Sequence, residues 1–170
     1  VYICLIRQAL EEGKSALLLV PEIELTPQLL GQLTSHFGRQ VAVLHSSLRV
    51  GERFDEWRRI QSGEARVVVG TRSAVFAPAE NLGLILVDEE QEHTYKSENA
   101  PRYHAREVAI YRGVQEGTLV VLGSATPSVE SMYFARSGVY SLYTMRQRYN
   151  GQALPAVEIV DMKQELRNGN

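Results

Sequence analysis

Three consecutive acids and an amide, Asp88-Glu89-Glu90-Gln91, follow the apolar run Leu84-Ile85-Leu86-Val87 without a break. An unbroken apolar run suits a strand buried on both faces of a parallel sheet. Acids just past such a strand lie at its carboxyl end, the edge on which open α/β sheets bind ligands. An aspartate in that place can hold Mg²⁺ beside nucleotide phosphates. The acid after it can take a proton from an attacking water. The competing account is a buried strand that ends in a solvated acidic turn. These eight residues do not choose between the two.

Other apolar runs end in compact motifs of the same kind. Gly70-Thr71-Arg72-Ser73 offers backbone N–H groups, a hydroxyl and a guanidinium, all suited to a phosphate oxygen; the same residues also make a helix cap with a surface arginine. Gly123-Ser124-Ala125-Thr126-Pro127 is small and hydroxyl-bearing, which suits close approach and movement or simply a turn into a helix. Pro21-Glu22-Ile23-Glu24 places acids ahead of a helix, where they favour its N-terminus. His45 precedes two serines, but Gly-x-Ser-x-Gly is absent, which argues against a hydrolase triad.

The elements that must position these motifs are legible from periodicity. Strands are expected near residues 16–20, 41–44, 66–70, 84–87 and 118–122, all buried, with helices over 1–12, 27–38, 51–61, 103–116 and 129–136. Thr26-Pro27 is a helix start, Thr as N-cap and Pro at the first helical position. Phe54, Trp57 and Ile60 share one face of the third helix. Val108, Ala109 and Tyr111 point inward from the fourth, and the lone cysteine, Cys4, is expected to be a small buried residue. Strands alternating with helices predict an α/β fold with a parallel sheet. A net charge of −2 gives no global basic field, so any nucleic-acid contact must come from local placement. One cysteine excludes a disulfide framework within the chain and a cysteine-built zinc site. No apolar run approaches the length of a membrane span.

In their order these motifs resemble the first motor lobe of a superfamily 2 helicase. Leu86-Val87-Asp88-Glu89-Glu90-Gln91 resembles its Walker B box and Gly123-Ser124-Ala125-Thr126 its Ser-Ala-Thr motif. Leu19-Val20-Pro21-Glu22 and Gly70-Thr71-Arg72-Ser73-Ala74 resemble its two DNA-contacting motifs. Val20 to Gln28, and Tyr95-Lys96 followed by Arg102-Tyr103-His104-Ala105-Arg106, are similar to the PriA-type (primosomal protein N′) family of replication-restart helicases. The second of these segments resembles the family's aromatic-rich loop. Two departures stand out. No Gly-x-x-x-x-Gly-Lys-Thr loop lies within the 170 residues, and Gln91 occupies a position where the family usually carries His.

The resemblance implies a RecA-like P-loop NTPase lobe over residues 1–138, lacking its phosphate-loop strand, and a connector over 139–170. A gap or frayed edge beside the Asp88 strand is the expected consequence. It further implies ATP and Mg²⁺ as cofactors, the metal on Asp88 through water, with Glu89 and Gln91 catalytic. Ser124, Ala125 and Thr126 would couple phosphate state to the DNA path. DNA contacts would fall to Pro21, Glu22, Thr71, Arg72, Tyr95, Lys96, Arg102, Tyr103 and Arg106. Zinc is implied only for another part of a longer parent chain, with single-stranded and forked DNA, primosome proteins and single-strand-binding protein as partners in a bacterial cytoplasm, at the nucleoid. The parent would be an ATP-dependent 3′→5′ helicase, and the 170 residues alone are expected to fold without hydrolysing ATP. Two other readings of the residues stay open: a nucleic-acid-binding α/β module without turnover, and a metal-dependent hydrolase.

Overall fold

The computed structural model describes residues 1–146 and Val160. Arg148, and the alternation at Val157 and Ile159, lie outside the described residues, as does most of the 139–170 connector. Val1–Tyr133 form one compact unit, and the chain from Phe134 belongs to a second. In the second unit the Phe134 and Tyr140 rings lie 5.4 Å apart.

The first unit is a three-layer α/β sandwich. Its helices are α1 (Tyr2–Glu11), α2 (Pro27–Phe37), α3 (Val50–Gln61), α4 (Ala105–Glu116) and the start of α5 (Val129–Arg136). Its strands are β1 (Ser15–Leu19), β2 (Val41–Leu44), β3 (Val67–Gly70), β4 (Leu82–Val87) and β5 (Leu119–Leu122). All pairings are parallel, in the order β2-β3-β1-β4-β5. The chain winds from β1 to one side, then returns to build β4 and β5 on the other. The β1/β4 boundary is therefore a topological switch point, where such sheets bind ligands.

Alternate strand residues feed two cores. Leu17, Leu19, Val68, Ile85 and Val87 pack with Ile60, Ala105 and Ala109 on one face. Leu18, Val20, Val69, Leu84 and Leu86 pack with Ile6, Leu33 and Phe37 on the other. The Thr26 hydroxyl accepts the Leu29 N–H at 3.2 Å and caps α2 as its sequence predicts.

Several expectations need correction. Cys4 is exposed, because α1 turns Ile6 and Ala9 inward instead. Helix α4 starts at Ala105, and its inner face is Ala105, Ala109 and Gly113, small residues that let the helix lie close on the sheet. A Cβ at Gly113 would collide with the Val120 side chain. Tyr111, off that stripe, is 66% exposed. On α3 only Ile60 is buried, while Phe54 and Trp57 face solvent. No gap adjoins β4, which is paired on both sides. Among the described residues the open edge belongs to β5, and Leu119 there is 59% exposed rather than buried. The opposite edge, β2, is closed by side chains: Glu56 accepts the Val43 N–H at 2.9 Å and Arg59 donates to the Arg39 and Val41 carbonyls. That blunts an edge otherwise free to pair with another strand.

Candidate functional site

Parallel pairing brings the strand ends together. Leu19 is in register with Gly70 on one side and Val87 on the other, and Val87 with Leu122. The chain leaving β4 stays hydrogen-bonded to both neighbours: Asp88 N–H donates to the Leu19 carbonyl at 2.9 Å, and Glu90 N–H to the Gly123 carbonyl at 3.1 Å. Between them Glu89 adopts φ +44°. A non-glycine residue in the left-handed region costs about 1–3 kcal/mol and concentrates at functional sites. Past this turn Asp88, Glu89 and Gln91 stay partly accessible, while Glu90 is buried.

Asp88 Oδ1 accepts the Tyr2 hydroxyl at 2.6 Å. Burial first, then the Asp88 bond and charge, push the Tyr2 phenol far above its ordinary value, so it remains a donor at any working pH. By spacing alone Tyr2 falls on the apolar stripe of α1, with Ile6 and Ala9. The available signal was its hydroxyl, which needs a partner once the ring is buried. Gly123 completes the corner, since a Cβ there would collide with the Tyr2 hydroxyl.

A second chain of bonds crosses from β4 to β5. Gln91 Nε2 donates to Glu89 Oε2 at 2.7 Å, Ser124 Oγ donates to Gln91 Oε1 at 2.6 Å, and Thr126 N–H donates to Ser124 Oγ at 2.9 Å. Both ends of the Gln91 amide are used, one as donor and one as acceptor. The structure thus brings Glu89, Gln91, Ser124 and Thr126 into one line. Ala125 is exposed beside it.

This edge carries excess negative charge. Glu24 is pushed up by burial and then by the charges of Asp88, Glu89 and Glu92. Such a corner fits a divalent cation. Among the described residues no cluster of three or more metal-binding side chains occurs. Mg²⁺ is commonly held by one or two carboxylates, with water and phosphate oxygens completing the shell, so such a cluster is not required of a site for it. A raised acid pKa withdraws stability as pH rises through it. We therefore expect Glu24→Gln to raise the thermal midpoint at neutral pH without divalent ions, and the gain to vanish below the carboxylate range; melting curves at the two pH values check this.

The loop after Gln91 is built differently from its sequence reading. Tyr95 is 1% exposed, and its hydroxyl donates to the Asp88 carbonyl at 2.7 Å, so its ring supports the acid turn and has no face for a base. Tyr103 is half-buried and packs edge-on against Phe76 at 4.8 Å. Thr71 is 3% exposed and Pro21 is buried, which removes both as ready surface contacts. Arg72 donates to the Thr94 and Lys96 carbonyls at 3.1 and 2.7 Å, pinning the loop to the end of β3. Lys96 Nζ donates to the Arg102 carbonyl at 2.8 Å, and the Arg102 side chain is exposed. Glu22 is exposed and accepts the Ser46 hydroxyl at 3.0 Å. Val20, Glu22, Thr71, Arg72, Tyr95 and Lys96 line part of a cavity of about 300 Å³ between these segments.

Arg106 is also relocated. Its side chain is 15% exposed, and its guanidinium meets Glu90 at 2.5 Å and the Ser128 hydroxyl at 2.9 Å. Glu90, 1% exposed, further accepts the Ser128 N–H and the Ser128 and Ser131 hydroxyls. Burial pushes the Glu90 acid up, but these donors outweigh it and hold it below the usual range. Arg106 therefore belongs to an internal ion pair and not to a DNA-facing surface.

Comparison with known proteins adds the lineage. The DEAD/DEAH box helicase family matches residues 1–133. The chain belongs to that family. Helicases of this family work with a bound nucleotide. The chain is 54% identical over all its 170 residues to the replication restart protein PriA of Bacillus subtilis, and 49% identical over 156 residues (92% of the chain) to that of Treponema pallidum. It spans 21% and 24% of those proteins' lengths. The C-terminal domain of S. cerevisiae Dbp5 bound to Gle1 and IP6 superposes with a TM-score of 0.53 at 15% identity, over 79% of this chain and 75% of that one, which supports the RecA-like fold. Among the described residues no helix is long and apolar enough to cross a membrane.

Proposed function

We propose that this chain is part of the first motor lobe of an ATP-driven DNA helicase that acts in replication restart. The observation that carries the reading is the bonded line Glu89–Gln91–Ser124–Thr126, which joins an acid at the switch point to the Ser-Ala-Thr segment. Asp88 would hold Mg²⁺, which supplies charge neutralisation of the phosphates when bound. Tyr2 keeps one Asp88 oxygen occupied and so fixes which oxygen remains free. Glu89 orients water and accepts its proton; Gln91 holds the Glu89 carboxylate and, through Ser124, passes its position toward Thr126. The similarity to replication restart proteins over the whole chain supports DNA as the track, with single-stranded and forked DNA, primosome proteins and single-strand-binding protein as partners.

On the loop side, Arg102, Lys96 and Arg72 border the DNA path, while Tyr95 and Tyr103 hold the loop in shape. Arg102→Ala is expected to weaken single-stranded DNA binding at every sequence and to lower the log–log salt slope by about 1. Tyr95→Phe should leave that slope unchanged. Anisotropy titrations over a range of salt measure both.

The reading as a whole is tested by strand displacement with the full-length protein. ATP-dependent unwinding of a duplex with a 3′ single-stranded tail, and little with a 5′ tail, is expected. ATP-independent binding without displacement would favour a module without turnover.

A further inference from the structure

We infer that Glu90 and Arg106 are positioning residues that couple the DNA-facing loop to the Ser-Ala-Thr segment, an assignment that rests on the motor reading above. Glu90 sits between Glu89 and Gln91 in sequence, yet it takes no part in their bonded line. Its carboxylate turns inward and receives four donors: Ser128 N–H at 2.7 Å on Oε1, and Arg106 Nη1 at 2.5 Å, Ser131 Oγ at 3.0 Å and Ser128 Oγ at 3.1 Å on Oε2. A carboxylate has about four acceptor positions, and four donors meet this one, three of them on Oε2.

One acid therefore joins three elements. Arg106 is the second residue of α4, and two residues before it His104 pairs with Lys96 to close the loop. Ser128 lies two residues past Thr126 and caps α5 by accepting the Ser131 N–H at 3.2 Å. Glu90 itself is held by the Gly123 carbonyl through its backbone. A buried polar network with every member satisfied favours one arrangement and resists partial ones. When DNA displaces the loop, the start of α4 carries Arg106 with it, and Glu90 passes the shift to Ser128 on one side and to Gln91 on the other. Neither side chain is exposed enough to lie on nucleotide or DNA, which leaves them transmission and not contact.

The test uses the full-length protein, with steady-state phosphate release from Mg²⁺–ATP at zero and saturating single-stranded DNA, and DNA affinity by anisotropy. Glu90→Gln combined with Arg106→Gln removes both charges at once and leaves no lone buried ion. We expect the DNA-stimulated rate to fall about tenfold or more, with basal rate and DNA affinity within about threefold, in the range of ordinary coupling factors. Arg106→Lys, which keeps the charge and can still donate to Glu90, should recover a large part of the stimulation. Equal losses with and without DNA would reduce the pair to a structural staple and overturn the inference. So would weakened DNA affinity with stimulation intact, which would return Arg106 to the DNA surface. If the double variant does not fold, Glu90→Gln decides alone: stimulation equal to wild type overturns the inference, and a loss confined to the DNA-stimulated rate supports it. A wild-type protein whose hydrolysis ignores DNA would instead overturn the motor reading, and this inference with it.

Discussion

Glu89→Gln in the full-length protein is expected to lower ATP turnover by about 10²–10⁴ while leaving nucleotide affinity nearly unchanged. The substitution is close to isosteric, and its side-chain oxygen can still accept the Gln91 Nε2 bond that Glu89 Oε2 accepts at 2.7 Å. The bonded line to Ser124 and Thr126 therefore survives, and what is lost is the capacity to take a proton from water. Asp88 keeps its bond from Tyr2, so the carboxylate proposed to hold Mg²⁺ is left in place. Phosphate release under multiple turnover, with nucleotide binding measured by calorimetry, separates the two quantities. A variant that keeps more than half of its turnover would remove Glu89 from the general-base role.

Arg106→Ala is expected to cost about 3 kcal/mol of stability, the lower part of the range for stripping one partner from a buried ion pair. The lower part applies because Glu90 keeps the Ser128 N–H and two hydroxyls as donors. Against a total stability of ~5–15 kcal/mol the loss is large. Urea unfolding should show a lower midpoint at unchanged slope. Glu90→Gln combined with Arg106→Ala should lose less than Arg106→Ala alone, because no buried charge is then left without its cation. The pH dependence follows from the sign of the shift. Glu90 is held below the usual glutamate range in the folded protein, so its contribution is present above that range and is lost as pH falls through the lowered value. Acid should therefore narrow the gap between wild type and Arg106→Ala. A gap that is constant from neutral to acid pH would mean that Glu90 is not the partner being stripped.

These two experiments also mark where sequence reading succeeds and where it stops. The strands around Val68 and Ile85 were legible because a parallel sheet covered on both faces demands unbroken apolar runs. The acid turn was legible because such runs end on the ligand edge. Register and strand order were not, and they decide the neighbours: β5 lies beside β4, so Ser124 reaches Gln91 and no gap opens at Asp88. Leu119 reads as buried from its run, yet an edge strand exposes it. Tyr95 and Arg106 illustrate the same limit. A ring and a guanidinium in a charged loop suggest nucleic acid by composition. Only the fold reveals that Tyr95 reaches the Asp88 carbonyl and that Arg106 answers the buried Glu90. Tyr2 was hidden for the opposite reason, since its spacing fits the apolar face of α1 and its hydroxyl partner lies 86 residues away.

The most direct test of the central claim is phosphate release from ATP by the full-length protein, titrated with single-stranded DNA in the presence and absence of Mg²⁺. The account predicts turnover that requires Mg²⁺ and rises with DNA to saturation. Turnover that is indifferent to DNA, or absent while nucleotide still binds, would contradict it.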